Sequence, residues 1–349
     1  MEEKKIRVAI THGDTNGVGY EVILKAFEDP MMLELCTPII YGSPKVATYH
    51  RKALGIETQF SIISNAAEAR DGRVNMLTTF DEEIKVEIGV PAPEAEAAAK
   101  KALDRALADQ AEGCYDVLVT APAKANDQLA QKPEALSVLL GDNLAMAFVT
   151  KDVAIKDVSE AITKQKIVDK AKTLHNCLKR DLRVSNPRIA VLALNPHAGT
   201  ENQPGEEEQE MIAPAIEELE QQGIQAFGPY AADSFFGNGD YNRFDAVLAM
   251  YYDQGMAPFK ALVGDSYTVF TAGLPMACTA PSHDADFNHA GKGTADAGSM
   301  LRAIYQAIDV CRNRLNYDLP LANPLPKLYH EKRDDSEKVR FAVPKDKKQ

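Results

Sequence analysis

The stretch AVLAMYYDQGMAPFK, from Ala246 to Lys260, joins a run of apolar residues to a short polar segment. The apolar part predicts a β-strand covered on both faces, since neither face carries a polar side chain. The polar part contains Asp253, an amide, a glycine and Lys260, which are residue types of an active-site loop. Tyr252 stands beside Asp253, where a metal site would require an imidazole. The stretch therefore predicts a buried strand that ends at a candidate catalytic loop.

The same change from apolar to polar residues recurs at four other places. Predicted strands run into THGDTNGVG at 11–19, TAPAK at 120–124, VTKD at 149–152 and LNPHAG at 194–199. Amphipathic helical patterns lie between these strands, and this alternation is typical of an α/β protein with a mainly parallel sheet. Ligands of open α/β sheets bind at the carboxyl ends of the strands, so the five segments together predict a cleft.

Composition limits the classes of function. The chain has 349 residues, enough for two domains, and its formal net charge of −12 disfavours binding to nucleic-acid phosphates. No apolar run is long enough for a secretory signal or a membrane span, which predicts a cytoplasmic protein without membrane partners. The five cysteines are scattered and odd in number. They predict reduced thiols and neither a disulfide framework nor a zinc knuckle.

Several polar residues at the predicted strand ends are candidate ligands. His197 is a candidate for a metal, and Asp152 and Asp253 are candidate oxygen ligands from other strand ends. A lone histidine is more often structural, so both interpretations stay open at this point. Lys260 is suited to neutralising a carboxylate or phosphate, and it is equally compatible with a solvated surface position.

Two glycine-bearing segments leave the same kind of choice. Gly13, Gly17 and Gly19 lie between a strand and a helix, where glycine allows a ligand to approach the backbone. Their spacing matches neither a dinucleotide fingerprint nor a Walker loop, which favours a plain βα turn. The segment SHDADFNHAGKG, residues 282–293, is rich in histidine and aspartate, but its spacing favours a solvated loop.

The motifs ITHGDTNGVGYEV, VTAP, LNPHAG, MYYDQG with a later lysine, TAGLP and AGKG occur in a characteristic order. This set resembles the 4-hydroxythreonine-4-phosphate dehydrogenase family of the vitamin B6 pathway, over roughly residues 5–315. The resemblance implies a two-domain α/β/α subunit of the isocitrate and isopropylmalate dehydrogenase type. We place the first domain at 1–125 plus about 300–330, the second at 126–299 and a charged tail at 331–349.

The resemblance also implies an activity and its cofactors. It implies NAD-dependent oxidation of 4-phosphohydroxy-L-threonine with decarboxylation, for pyridoxal phosphate biosynthesis, by a homodimer whose sites lie in the interdomain cleft. A divalent metal such as zinc is held by three histidines in this family. The implied residues are Asp253 and Lys260 for catalysis, Lys260 and Lys124 for substrate, His197 and Asp152 for metal, and His283, Asp284, Gly291 and Gly293 for the cofactor.

The metal positions depart from the family pattern. His197 matches one family histidine, but Tyr252 stands at the second position and Asp152 at the third. A phenol with a pKa near ~10 is a poor ligand at neutral pH. Lys151 adds a positive charge next to Asp152. We therefore expect an impaired metal site.

The substrate and cofactor segments depart as well. The phosphate-binding segment PGHTE is missing, and Lys124 stands one place early in APAKA. Val269 and Cys278 replace a substrate-binding asparagine and arginine, and Asp284 replaces a glycine next to the expected cofactor pyrophosphate. A carboxylate at that position repels a pyrophosphate.

Three functional hypotheses follow. The first is an active dehydrogenase of this family. The second is a divergent paralogue that keeps the fold, has lost this catalysis, and binds a small ligand or modulates an active relative. The third is an unrelated activity in the same cleft that uses Lys151, Asp152 and His197.

Overall fold

Twelve strands form within residues 5–80, 84–199 and 205–324, the parts of the chain that this computed structural model describes. They are β1 (Ile6–Thr11), β2 (Cys36–Gly42), β3 (Phe60–Ile63), β4 (Val74–Thr78), β5 (Val117–Thr120), β6 (Leu136–Leu140), β7 (Ala145–Phe148), β8 (Arg188–Leu192), β9 (Gln225–Tyr230), β10 (Ala246–Ala249), β11 (Thr268–Ala272) and β12 (Ala277–Pro281). The predicted charged tail, 331–349, lies outside the described residues.

Helices connect these strands. They are α1 (Gly19–Ala26), α2 (Met31–Leu35), α3 (Pro44–Leu54), α4 (Pro93–Ala111), α5 (Asp127–Ala130), α6 (Val158–Ala161), α7 (Lys164–Asn176), α8 (Ala213–Gln221), α9 (Ala232–Gly237), α10 (Tyr252–Val263) and α11 (Gly298–Ala322). A π-helical turn, Cys177–Asp181, extends α7, and another, Glu208–Ile212, precedes α8. None of the described helices combines the length and apolar character that a membrane crossing requires.

All twelve strands lie in one sheet, in the order β3-β4-β2-β1-β5-β12-β11-β6-β7-β10-β8-β9. The pairings are parallel except β12–β11, β11–β6 and β6–β7. The predicted α/β class with a mainly parallel sheet is confirmed. The apolar runs have the predicted placement, since every residue of β5, β7 and β10 is buried.

The three antiparallel pairings change one expectation about the strand ends. Strands β1 and β5 run in one direction, while β7, β8 and β10 run in the opposite direction. The five polar segments therefore fall into two groups that point in opposite directions along the sheet. The cleft predicted from the five segments stays a prediction, because the strand-end rule applies to each group separately.

The helix start and the helix predicted from local sequence in the first half of the fold are confirmed. Ser43 caps α3, its hydroxyl accepting from the backbone N–H of Val46 at 3.5 Å, and Pro44 occupies the first helical position. The alanine-rich segment forms α4 as expected. The division into two domains remains a prediction, since the sheet runs continuously through both halves.

The hairpin between β11 and β12 requires a glycine. Gly273 has a φ of +83°, and a Cβ atom there would lie 2.0 Å from the carbonyl oxygen of Glu134. Any other residue would clash with backbone and adopt a strained conformation. Gly273 therefore holds the turn of the hairpin against the segment that leads into β6.

A buried arginine fastens this hairpin to the neighbouring helices. Arg314 in α11 donates from Nε to Asp181 Oδ1 at 2.7 Å and from Nη1 to the carbonyl oxygens of Leu274 and Pro275 at 3.3 and 3.0 Å. The Arg314 and Asp181 side chains are only 9% and 4% exposed. One guanidinium thus joins α11, the π-helical turn after α7 and the hairpin.

Removal of this guanidinium should destabilise the fold strongly. We expect Arg314→Met to lower the free energy of unfolding by about 3–5 kcal/mol, because Asp181 is left as an uncompensated buried charge. Arg180→Met is the matched control, since Arg180 joins the same two elements through an exposed pair with Asp318. Its loss should cost at most about 1 kcal/mol. Urea unfolding measures the free energy of unfolding of both variants. An equal decrease in the two variants would contradict the structural role of Arg314.

Candidate functional site

The segment after β10 is the first turn of a helix and not the loop expected from sequence. Gln254 explains this, because its Oε1 accepts from the backbone N–H of Met250 at 2.8 Å and its Nε2 donates to the carbonyl oxygen of Ala193 at 2.5 Å. Ala193 directly follows β8. The side-chain amide thus ties together the carboxyl ends of two neighbouring strands.

Gly255 also has a structural role. A Cβ atom there would lie 2.8 Å from the Phe148 ring, 2.9 Å from the Met146 sulfur and 3.0 Å from the Ala249 Cβ. The glycine therefore lets α10 pack closely against β7 and β10. Gln254 and Gly255 of the DQG motif therefore have structural roles. Asp253, the third residue of the motif, is exposed in the first turn of α10.

Tyr252 lies against an aromatic ring at this helix start. Its ring centroid is 5.3 Å from that of Phe148, and the residue is half-buried. Burial raises the pKa of Tyr252, and the carboxylates of Asp253 and Asp152 raise it further. The phenol is therefore neutral near pH 7 and a poor metal ligand.

His197 lies at a strained turn after β8. Its φ is +63° and that of Ala198 is +55°, conformations that non-glycine residues rarely adopt. The side chain is exposed, and it acts on Asp233: hydrogen bonds with Ser234 are the main cause of the lowered pKa of Asp233, and His197 lowers it further.

A buried carboxylate shapes the turn that presents His197. Glu208 is 2% exposed, and its Oε1 accepts from the backbone N–H groups of Leu194 and Asn195, both at 2.7 Å. Its Oε2 accepts from the Asn195 side-chain amide at 3.0 Å, which also donates to Glu207 at 2.8 Å. Glu208 therefore supplies partners for the backbone at the end of β8.

The metal ligands implied by resemblance, His197 and Asp152, stay a prediction. Among the described residues, no group of three or more histidine, cysteine, aspartate or glutamate side chains is arranged to hold a metal ion. The charge of His197 contributes to the lowered pKa of Asp233, and that of Asp152 contributes to the raised pKa of Tyr252. These residues do not fit a zinc centre, which requires at least three converging ionised or imidazole ligands.

The glycines of the first loop serve backbone packing. A Cβ atom at Gly17 would lie 2.5 Å from the Ala285 carbonyl oxygen, and one at Gly19 would lie 2.2 Å from that of His12. The Val18 N–H donates to the Ala285 carbonyl at 3.0 Å. The segment around Ala285 therefore sits directly on the glycine loop, which agrees with a plain βα turn.

An ion pair fixes the second glycine segment to α1. Lys25 donates from Nζ to Glu21 at 2.7 Å and to the carbonyl oxygens of Gly293 and Ala295, both at 2.9 Å. Glu21 also accepts from the Ala295 N–H at 3.0 Å. Gly291 packs its Cα against Ile88, since a Cβ there would lie 2.7 Å from the Ile88 side chain.

The implied cofactor residues lie on this segment. His283 Nδ1 is 2.7 Å from the Asp284 carbonyl oxygen, and its Nε2 is buried without a partner among the described residues. The exposed Asp284 carboxylate accepts from the Asp286 N–H at 2.9 Å. Carboxylates here and the close packing of Ala285 do not fit a pyrophosphate, which glycine-rich loops bind through free N–H groups and positive potential.

The two implied substrate lysines lie on different elements. Lys124 follows β5, is exposed and lies 3.8 Å from Glu96 in α4. Lys260 lies in the last turn of α10, two turns after Asp253, with its Nζ 4.0 Å from Asp265. Seven helical residues span about 10 Å, so Lys260 and Asp253 lie at opposite ends of α10.

A cationic pocket lies between α5, the start of β6, the end of β7 and α7. Its volume is about 410 Å³. Lys151, Lys166 and Lys170 line it together with Asp127 and Asp152. Of the implied site residues, Asp152 alone lines this pocket.

His12 is a buried histidine that is not among the site residues predicted from the sequence. His12 stacks on Tyr20 with ring centroids 5.0 Å apart and an interplanar angle of 7°. Phe80 contacts it edge-on at 5.8 Å, and Tyr20 stacks in turn on His50. Burial lowers the pKa of His12 to about 4. The imidazole is thus a neutral member of an aromatic stack under the glycine loop.

Comparison with known proteins identifies the family. The family model for the pyridoxal phosphate biosynthetic protein PdxA matches residues 34–307. The chain belongs to this family. It is 49% identical over 358 residues to a 4-hydroxythreonine-4-phosphate dehydrogenase from Bacteroides thetaiotaomicron, covering 98% of each chain. It is 34% identical to a protein of the same name from Prosthecochloris aestuarii, over 88% of this chain and 98% of that one.

Solved structures agree with the PdxA assignment. A 4-hydroxythreonine-4-phosphate dehydrogenase from Burkholderia phymatum is similar with a TM-score of 0.71 at 29% identity, covering 88% of this chain and 99% of that one. One from Klebsiella pneumoniae gives a TM-score of 0.74 at 26% identity, covering 88% and 100%. Membership of the PdxA family connects the chain with pyridoxal phosphate biosynthesis and with relatives named as oxidoreductases.

Sequence reasoning missed the residues that organise the site. Gln254 stands in the quoted DQG motif, but its partners and those of Glu208 are backbone groups of other segments. Lys166 and Lys170 gave a detectable signal, since two lysines one helical turn apart repel each other unless an anion lies nearby. The structure brings them together with Lys151 in the cationic pocket.

Loss of the Glu208 carboxylate should loosen the turn after β8. We expect Glu208→Ala to lower the free energy of unfolding by about 2–4 kcal/mol, because two backbone N–H groups lose a charged acceptor. Amide exchange at Leu194 and Asn195 should accelerate. Glu210→Ala, an exposed change in the same π-helical turn, is the control and should alter neither quantity. Unchanged exchange in Glu208→Ala would refute this role.

Burial of neutral His12 predicts a pH-dependent stability. The pKa rises from about 4 when folded to 6.5 when unfolded, so stability is complete above pH 6.5 and declines as pH falls toward 4. The His12 contribution should fall by about 2 kcal/mol between pH 6.5 and 5. Denaturant unfolding of wild type and His12→Phe measures this difference. The exposed His289→Gln should keep the wild-type dependence, and a flat wild-type profile would contradict the assignment.

Proposed function

We propose that this chain is a divergent member of the PdxA family that oxidises 4-phosphohydroxy-L-threonine weakly or not at all. The observation that carries the proposal is Tyr252, which stands at the position of a family metal-binding histidine. Its phenol packs against Phe148 and has a raised pKa, chiefly through burial. A neutral phenol cannot replace an imidazole as a zinc ligand.

The other two metal positions support the same proposal. Asp152 replaces a second imidazole and carries the neighbouring Lys151, whose charge opposes a cation. His197 is exposed, and its charge contributes to the lowered pKa of Asp233. Without a divalent ion, the substrate hydroxyl and the developing enolate lose the electrophile that the family reaction uses.

The cofactor segment further supports weak activity. The Asp284 carboxylate is exposed where the pyrophosphate of NAD would lie by resemblance, and charge repulsion disfavours that placement. His283 is the exception, since its buried Nε2 has a free hydrogen-bonding position. We therefore propose that NAD binds weakly.

A non-catalytic role is compatible with the scaffold. Gln254, Gly255 and Glu208 maintain the strand ends through backbone contacts that need no metal. On this proposal the chain keeps a pocket for a small ligand, or it pairs with an active family member and modulates it. The proposal includes a cytoplasmic homodimer and the two-domain division at 1–125 plus about 300–330 and 126–299.

A second candidate is a working NAD-dependent dehydrogenase. Its main support is the 49% identity to the Bacteroides thetaiotaomicron protein of that name across 98% of both chains. In this candidate Asp253 and Lys260 act in catalysis, with Lys260 and Lys124 at the substrate. Because Lys260 lies about 10 Å along α10 from Asp253, the two would contact different parts of the substrate or different subunits.

Metal titration and turnover decide between the two candidates. We expect the wild type to bind zinc poorly in calorimetry, and the kcat/KM for NAD-dependent oxidation of 4-phosphohydroxy-L-threonine to be at least about 100-fold below that of the Bacteroides relative. The double variant Tyr252→His with Asp152→His should tighten zinc binding at least about tenfold, because it restores two imidazoles.

The control for this restoration is the variant Tyr251→His with Asp152→His. Tyr251 is the adjacent tyrosine and is likewise half-buried, but it precedes the first helical residue. It should give no such gain in zinc affinity. Stoichiometric zinc in the wild type together with turnover comparable to the relative would overturn the proposal and establish the second candidate.

A further inference from the structure

One edge of the sheet is open beside a large groove. Strand β3 lies at the end of the sheet order and, within the described residues, pairs only with β4. We infer that this edge binds an extended peptide segment of another protein, in which one lysine or arginine stands among apolar residues. The inference does not depend on the proposed function, because the strands next to the implied metal positions, β7, β8 and β10, lie toward the other end of the sheet order.

A groove of about 700 Å³, the edge groove, lies between the segment that joins α1 to α2 and the first residues of β3 and β4. Residues 57–61 line it in an unbroken run, so the chain that leads into the open edge is itself one wall. An extended segment in the edge groove therefore lies alongside β3, where its backbone can continue the sheet.

The two edges of the sheet differ in how they are protected against pairing. Strand β9, at the other edge, contains Pro229, which has no N–H to donate, and a register irregularity at Ala190 and Leu192 interrupts its pairing with β8. Strand β3 reads FSII, without proline, glycine or charge, and its Ile62 is 64% exposed. An uncharged apolar edge is a template for a further strand, so β3 has the character of a pairing surface.

The edge groove combines apolar walls with unpaired carboxylates. Its apolar surface comes from Phe27, Pro30, Leu33, Phe60 and Val74. Glu28 and Glu57 also line it, both are exposed, and neither forms an ion pair within the described parts of the chain. The methylene stem of a lysine or arginine can lie on such a wall while its charged end reaches a carboxylate. The lining therefore fits a basic side chain of the bound segment.

The cations near the edge groove already have partners. Arg51 donates from Nη1 to the Thr58 carbonyl oxygen at 3.5 Å and to Gln59 Oε1 at 2.7 Å, and its guanidinium lies 5.8 Å from the Phe60 ring centroid. Arg73, the one cation among the described lining residues, donates to the hydroxyl oxygen of Ser61 at 3.5 Å. Two carboxylates thus outnumber one guanidinium in the lining, which favours a cationic side chain over an anionic one.

Both sides of the edge groove are held by internal hydrogen bonds. Thr58 is 6% exposed, and its hydroxyl donates to the Leu24 carbonyl oxygen of α1 at 2.7 Å. Across the groove, Asp29 Oδ1 accepts from the Met31 N–H at 2.9 Å, which fixes the turn between α1 and α2. Walls that are already formed reduce the entropy lost on binding, so a short segment suffices as a ligand.

Fluorescence anisotropy with labelled peptides tests the inference on the full chain. The probe is an end-blocked hexapeptide of alternating threonine and valine in which a central threonine is replaced by lysine. We expect it to bind at least about tenfold more tightly than the same peptide with glutamate in place of lysine. Methylation of its backbone nitrogens should abolish binding, because these groups can then no longer pair with β3. Equal binding of the lysine and glutamate peptides, or no binding of the lysine peptide, would overturn the inference.

Substitution of the two carboxylates locates the site. Glu28→Gln with Glu57→Gln should weaken binding of the lysine peptide at least about tenfold, because the charge-assisted contacts are lost. The matched control is Glu112→Gln with Glu220→Gln, which removes two exposed carboxylates outside the edge groove. It should change the affinity less than about twofold. An equal loss in both double variants would contradict the assignment of the site.

Hydrogen exchange of the wild type covers the case of a misfolded variant. The lysine peptide should slow amide exchange at 60–63 of β3 and leave 225–230 of β9 unchanged. Slowing at β9, or none at 60–63, would overturn the inference. Slowing at 60–63 that grows with protein concentration in the absence of peptide would assign the edge to a second copy of the chain and would likewise overturn it.

Discussion

The antiparallel pairings of β12 with β11, β11 with β6 and β6 with β7 carry the sheet from one half of the fold to the other. They are possible because Gly273 lets the hairpin approach the Glu134 carbonyl and because Arg314 binds the hairpin carbonyls from α11. An odd number of antiparallel steps reverses the direction of the second group of parallel strands. The glycine loop after β1 therefore lies at one end of the strands, and the polar segments after β7, β8 and β10 lie at the opposite end. This arrangement determines which polar residues of the chain can meet.

The polar residues divide by what they contact. Gln254 and Glu208 are directed to backbone groups, and their loss would leave buried donors or acceptors unpaired. In contrast, Asp253, His197 and Lys260 are exposed and make few contacts with the scaffold. Substitutions at exposed positions lower the free energy of unfolding only slightly. Substitutions of Gln254 or Glu208, which bond to the backbone at the strand ends, lower it by several kcal/mol. Under the proposed function, substitutions at such positions can therefore remove chemistry from the site while the fold is retained.

The pocket near β7 carries more cationic than anionic side chains, since Lys151, Lys166 and Lys170 line it together with Asp127 and Asp152. Such a balance of charge favours anions over cations.

The sequence by itself determined the α/β class, the helix starts at Ser43 and Pro44, the buried strands and the family, because these depend on local periodicity, capping and ordered motifs. It also identified Tyr252 as a departure from the metal pattern. Only the tertiary structure decided that the DQG segment begins a helix, since the Gln254 partner at Ala193 lies 61 residues away in the chain. The reversal of strand direction and the meeting of Lys151 with Lys166 and Lys170 were likewise decided there. Such features depend on pairings between distant segments, whose geometry no local pattern of residues encodes.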